Sequence, residues 1–390
     1  MPKWLAALFA ASFVFYTDDY VIAGVLPEIA RDLGVSQAAA GQLITVFAVT
    51  VALVAPVAAV VLARAPRRVL LVASLCAFVA ANAAAAGASS FTVLVILRVV
   101  AAAAAAVATP ALFATAVQRA PAAKVGRYVA VVALGVTGSI AVGVPIGTWI
   151  GGAFGWRAVF ATMAVCGLLA LAGLLITVPR GMVGGPAPDW RAQVRSLGRR
   201  PVTFGLLANM SLMTGSMMML TYLALFLADV AGAAVDARAL SFGLAGIAGT
   251  LGMWGGGVMT DRHGPDRALL IGMSAIAGSM AGLWLLWGMR PVPMTAVLPV
   301  LAVWGAAAFW NSPAIQARLA TLSGPLAPQA LALNTSGTYL GVSLGGLLGG
   351  LTLNRWGSGA LPPLAVASTV LALVLLSNAS EPVRKTVPRK

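Results

Sequence analysis

The feature that most constrains this chain is a succession of apolar runs, each long enough for the roughly 20 helical residues that cross a hydrocarbon core. Inside a bilayer every backbone N–H and C=O must be satisfied within the protein, so only helices and closed barrels can span it. A barrel alternates apolar and polar residues, and these runs do not. The fold class is therefore all-α integral membrane. Composition agrees, with 60% of residues hydrophobic and 9% charged, against about 25% charged in a soluble domain. The runs place spans at 4–26, 38–63, 69–88, 91–116, 127–152, 157–178, 202–228, 239–259, 268–288, 293–317, 328–352 and 360–379.

A net charge of +15 raises the question of nucleic acid. The Lys and Arg residues, however, form no basic face. They sit in short clusters between the apolar runs, as the positive-inside rule requires. With both termini in the cytoplasm, Lys3, Arg64, Arg67, Arg68, Arg119, Lys124, Arg127, the basic residues of 180–200, Arg262, Arg267, Arg318 and the basic tail all lie inside. Arg31, Arg157, Arg238, Arg290 and Arg355 fall outside, and Arg98 falls within a span. The polar stretch 180–201 splits the spans six and six. The expected organisation is a bundle over 1–179, a cytoplasmic linker over 180–201, a second bundle over 202–380 and a basic cytoplasmic tail over 381–390. The first run follows Lys3 as a signal peptide would, but Asp18 and Asp19 within it indicate a retained helix.

The two halves repeat. A shift of 198 residues lays Val61-Leu-Ala-Arg64 over Met259-Thr-Asp-Arg262, Gly143-Val-Pro-Ile-Gly147 over Gly341-Val-Ser-Leu-Gly345, and Gly151-Gly152 over Gly349-Gly350. Parallel repeats about an axis along the membrane normal place a substrate site between the halves.

Three stretches carry a family resemblance. Gly24-Val-Leu-Pro-Glu-Ile-Ala-Arg-Asp-Leu-Gly-Val-Ser36 resembles the end of helix 1 and the first external loop of bacterial drug:proton antiporters of the major facilitator superfamily. Within them it is most similar to the chloramphenicol-resistance and arabinose-efflux branch. Gly257-Val-Met-Thr-Asp261-Arg262-His-Gly264-Pro-Asp-Arg267 is similar to the superfamily's loop signature, and Gly143 to Gly152 with Gly155-Trp-Arg-Ala-Val-Phe160 to the exporters' helix-5 signature. Arg98 falls where that family places a helix-4 arginine. The first-half loop departs from the pattern, with Ala59, Ala63, Arg64 and Pro66 where the family has Gly, Asp, Arg and Gly. The acidic latch residue is missing there, so an inner gate leans on Asp261, Arg262, Gly264 and Arg267, with Gly257 ahead of them. The resemblance implies a bacterial inner-membrane, multi-pass, monomeric transporter of two pseudo-symmetric six-helix bundles. Its partners are then a small-molecule substrate, protons and the lipid bilayer, with no cofactor.

Asp18 and Asp19 are the most informative residues, because an ionised carboxylate within a span costs several kcal/mol unless paired or hydrated and so marks function. At 1.5 Å per residue, Asp19 lies roughly 22 Å from the inner end of its span and Arg98 roughly 10 Å from the outer face. In a core of about 30 Å these depths nearly coincide, which predicts a carboxylate–guanidinium contact. Adjacent helical residues point about 100° apart. Ser12, Tyr16 and Asp19 share one polar stripe, whereas Asp18 shares its side with Ala11, Phe15 and Ile22. Asp19, which also occupies the family's acidic position, is the expected proton carrier. Burial disfavours an ionised carboxylate and a nearby guanidinium favours it, so a change in that balance loads or releases a proton.

Gly135, Gly138, Gly143, Gly147 and Gly151 predict close helix–helix approach, and Pro145 a bend. The second half offers Asn209, Met213, Met217 and Tyr222 on span seven, Trp310 and Asn311 on span ten, and Asn334 and Tyr339 on span eleven. Polarizable methionines and aromatics with a few amides, together with Tyr16, suit an adaptable pocket for neutral or amphipathic compounds. The reading is proton-coupled efflux of such a compound, for instance an amphenicol antibiotic, by alternating access; a sugar or metabolite exporter of the same fold is the alternative. An enzyme or metal protein is disfavoured, since His263 is the sole histidine and Cys76 and Cys166 are isolated. A channel is disfavoured by the lack of a charge ring or filter-like loop.

Overall fold

With no water in the bilayer to bond the backbone, each apolar run closes its own hydrogen bonds as a helix. The computed structural model describes residues 1–179, 184 and 190–379, and among these there is no strand. The first half comprises α1 (Lys3–Asp32), α2 (Gln37–Val61), α3 (Arg67–Ala86), α4 (Phe91–Arg119), α5 (Val125–Phe154) and α6 (Trp156–Thr177). The second half comprises α7 (Arg200–Thr221 continued by Leu223–Ala231), α8 (Val235–His263), α9 (Pro265–Gly288), α10 (Met294–Ser323), α11 (Ala327–Trp356) and α12 (Leu361–Asn378). Every expected span has its helix. Eleven are long and apolar enough to cross a membrane; α11 has the length but is diluted by glycines and by Asn334, Thr335, Thr338 and Tyr339. Residues 180–183 and 185–189 of the linker over 180–201 and all of the tail over 381–390 lie outside the described residues. In the second half of the linker a short helix, Trp190–Leu197, leads into α7.

The 198-residue repeat has a direct structural counterpart. On α5, a Cβ at Gly143, Gly147 or Gly151 would collide with Thr17, Val21 or Val25 of α1. On α11, a Cβ at Gly341, Gly345 or Gly349 would collide with α7 at Met210 and Met213, Thr214 and Met218, or Met218 and Tyr222. Each half thus builds the same small-residue contact, one against α1 and the other against α7, and those two helices are the most buried of the eleven. The bend expected at Pro145 is a π-helical turn over Ser139–Gly143, just before the proline. One extra residue in the turn accommodates a position that cannot donate its backbone hydrogen bond. Between α8 and α9 the chain reverses at Gly264, whose φ of +86° is left-handed and suits glycine.

Leu168, Leu169, Ile176, Leu251, Leu285 and other large apolar side chains point outward, where lipid rather than water receives them. The halves meet through α1, α2 and α5 on one side and α7, α8 and α11 on the other. The close approaches lie toward the face away from the termini. There Gln42 donates to the Gly346 carbonyl at 3.4 Å, Gly152 abuts Val235, and Gly41 abuts the Tyr222 ring.

Candidate functional site

Arg98 reaches from α4 into the interior of the first half and is 1% exposed. Its Nη1 donates to Asp18 Oδ2 at 2.7 Å and its Nη2 to the Asp18 carbonyl at 3.1 Å. The guanidinium also lies 4.4 Å from the centroid of the Phe47 ring on α2, a cation–π contact. Asn82 of α3 sits beside the same carboxylate. Four helices of one bundle therefore converge on a single charge pair that is cut off from water. The expected partner was Asp19, and this is corrected: Arg98 pairs with Asp18. Depth could not separate two residues 1.5 Å apart along a helix. The direction around α1 decides, and α3 and α4 pack on the Phe15–Asp18 side, where Phe15 meets Phe78 edge-on at 4.8 Å.

Asp19, 5% exposed, points the other way, toward the second half. Tyr339 of α11 donates its hydroxyl to Asp19 Oδ2 at 3.3 Å. Tyr16 lies against this pair with Thr109 of α4 beside it. Asp19 also lines a small cavity of about 10 Å³ with Tyr20, Ala23, Ile44, Met217 and Leu220, residues drawn from both halves. The polar stripe holds for Tyr16 and Asp19, but Ser12 at its base is buried against Gly135 of α5.

The second-half candidates divide. Met217 lines the Asp19 cavity. Asn209 donates to Asn334 Oδ1 and to Thr338 Oγ1, both at 2.9 Å, which joins α7 to α11 just off the midline. Met213 packs against Gly341. Three others lie away from the cavity. Tyr222 sits at the break in α7, wholly buried, and donates to the Gly346 carbonyl at 2.9 Å as part of the seal on the face away from the termini. Trp310 donates to the Ala268 carbonyl at 2.9 Å, and Asn311 abuts Gly272, so both join α10 to α9. Polarity alone could not tell a midline-facing side chain from one that satisfies a neighbouring helix. Of the expected loop residues, Asp261 and Arg262 lie in the last turn of α8 and Arg267 in the first turn of α9; all three are exposed, and Asp261 makes no ion pair among the described residues. Gly257 has open space around it.

Of the ion pairs that the sequence did not indicate, one joins the two halves: Arg238 of α8 bonds Glu28 of α1 at 2.6 Å. Glu28 stands inside the helix-1 stretch that resembles the family, but nothing in the sequence marks Arg238 as its partner.

A family model of the Major Facilitator Superfamily matches residues 8–327. The chain is 32% identical over 379 residues to a chloramphenicol resistance protein of Streptomyces lividans, covering 96% of this chain and 95% of that protein. It is 30% identical over 372 residues to the uncharacterized MFS-type transporter YbcL of Bacillus subtilis (strain 168), covering 94% of each. Among solved structures, an inward-facing, unoccupied bacterial homolog of the human lysosomal transporter Spinster matches with a TM-score of 0.73 at 18% identity, over 96% of this chain and 95% of that one; at that identity the likeness concerns the fold. The twelve-helix fold and its cross-half centre are those of a multi-pass membrane transporter. The chain belongs to the major facilitator superfamily.

Proposed function

We propose that this transporter is a proton-coupled exporter of neutral or amphipathic small molecules, an amphenicol-like antibiotic among them, working by alternating access in the bacterial inner membrane. In this reading it acts as a monomer with both termini cytoplasmic, and the six-helix units over 1–179 and 202–380 rock against each other. The observation that carries the reading is Asp19: a buried carboxylate at the boundary between the halves, hydrogen-bonded to Tyr339 of the opposite half. A carboxylate there changes charge when it takes a proton, and it is placed where the halves separate. Arg98 and Asp18 hold α1 and α4 in register and leave Asp19 as the exchanging group. Tyr16, Met213, Met217 and the Asn209–Asn334 pair supply a polarizable surface with few fixed polar groups, which suits compounds of modest polarity. The chloramphenicol resistance relative supports the same substrate class. A sugar or metabolite exporter would call for more hydrogen-bonding groups than the Asp19 cavity offers.

The test is chloramphenicol-induced proton release from the purified protein, together with resistance of an efflux-deficient host. Proton release that is lost in Asp19→Asn and kept in wild type supports the reading. Resistance with no proton release in wild type would make the protein a facilitator, and no response to chloramphenicol with release by a sugar would favour the alternative.

A further inference from the structure

The ion pair between Glu28 and Arg238 joins residues 210 positions apart and connects α1 to α8 across the midline. The other ion pairs among the described residues, Arg98–Asp18, Arg157–Asp32 and Arg318–Asp266, each lie within one half. Both partners are largely buried, at 15% and 8% side-chain exposure, so water screens them little.

Each charge also sits at the wrong end of its own helix. Arg238 is in the first turn of α8, where the macrodipole is positive, and Glu28 is near the C-terminus of α1, where it is negative. Neither residue stabilises its own helix. Each is offset by the other, and the two helix ends with their opposite partial charges face one another when the halves are closed. Separating the halves on this face would leave both charges unpaired at unfavourable helix ends.

Among the described residues, the face of the termini holds no ion pair between the halves. Ala63 stands where the family has its acidic latch residue, and Asp261 makes no ion pair among the described residues. We infer that Glu28 and Arg238 are the positioning residues that latch the halves together on the face away from the termini, and that this asymmetry makes closure on that face the resting state of the transporter. The inference goes beyond the proposed function and does not depend on proton coupling or substrate.

The experiment measures the distance between spin labels at Gln37 and Asn354, exposed residues at the ends of α2 and α11 on that face. The full chain is reconstituted in lipid with Cys76→Ser and Cys166→Ser, and without substrate. The expected wild-type result is a single short distance. Glu28→Gln together with Arg238→Gln removes both charges without stranding either, and should shift the open-to-closed ratio by about tenfold or more toward a longer distance. The exchanged pair, Glu28→Arg with Arg238→Glu, should return the short distance at least as fully as wild type. It restores the attraction and also places each charge at its favourable helix end. A double-Gln variant that remains closed would overturn the latch, as would an exchanged pair as open as double-Gln. Equal thermal unfolding temperatures for the three proteins show that the distances report gating rather than misfolding. Loss of proton release with these distances intact would count against the proposed function alone.

Discussion

Tyr339 and Asp19 meet across the midline of the bundle, the phenol of α11 donating to the carboxylate of α1 at 3.3 Å. The bond ties a group that changes charge on taking a proton to a helix of the opposite half. It is longer than the mode for O–H···O bonds, so its net worth is on the order of 1 kcal/mol.

Asp19→Asn is expected to abolish proton-driven export while leaving substrate binding measurable, because the amide mimics a permanently protonated carrier and still hydrogen-bonds. Tyr339→Phe should leave the fold intact and weaken the coupling of proton release to substrate by roughly fivefold. Substrate-induced proton release, read beside equilibrium binding, separates the two. Full release from Asp19→Asn would show that another carboxylate carries the proton.

The Arg98–Asp18 pair should report in stability. Removing one partner of a buried pair costs about 3–5 kcal/mol, since the other is left uncompensated. Asp18→Asn and Arg98→Ala should therefore each lower the thermal unfolding temperature by several degrees in detergent, whereas Asp19→Asn should shift it little. Equal melting of all three would remove the distinction drawn between the two aspartates.

At the termini face, Asp261→Asn should alter accessibility and transport more than Ala63→Asp does, because the second-half loop alone keeps the acidic residue. The measurement is labelling of single cysteines lining that face, with and without substrate. Unchanged labelling in Asp261→Asn would show that the loop is not a latch.

Close packing of α5 on α1 makes Gly147→Leu a sharp test of the small-residue interface. The new side chain would strike Val21, and overpacking typically costs about 1–3 kcal/mol. Val21→Ala should partly rescue thermal stability in the double variant. A Gly147→Leu protein as stable as wild type would show that the helices can part there without cost.

Orientation is tested by single cysteines at Ala122, in the turn between α4 and α5, and at Asn354, near the end of α11, both exposed. An impermeant maleimide added to intact cells should label Asn354→Cys and spare Ala122→Cys. The reverse pattern would invert the topology, and labelling of both from one side would break the twelve-span arrangement.

The helices themselves were legible in the sequence because in a bilayer hydropathy and backbone hydrogen bonding act locally: an apolar run of sufficient length has one solution. The repeat was legible too, since Gly143, Gly147 and Gly151 and their counterparts at Gly341, Gly345 and Gly349 serve the same contact twice. Depth along a helix also follows from counting, which is why Arg98 and the aspartates could be brought to one level. What counting could not supply is direction around the helix relative to its neighbours. Only the packing of α3 and α4 against α1 turned Asp18 toward Arg98 and left Asp19 to Tyr339, and only the packing of α10 against α9 drew Trp310 and Asn311 away from the midline. The Glu28–Arg238 pair depends on the tertiary structure most of all. Two charges so far apart in the chain become neighbours only where α1 and α8 meet across the midline, and that long-range geometry is encoded in no local pattern.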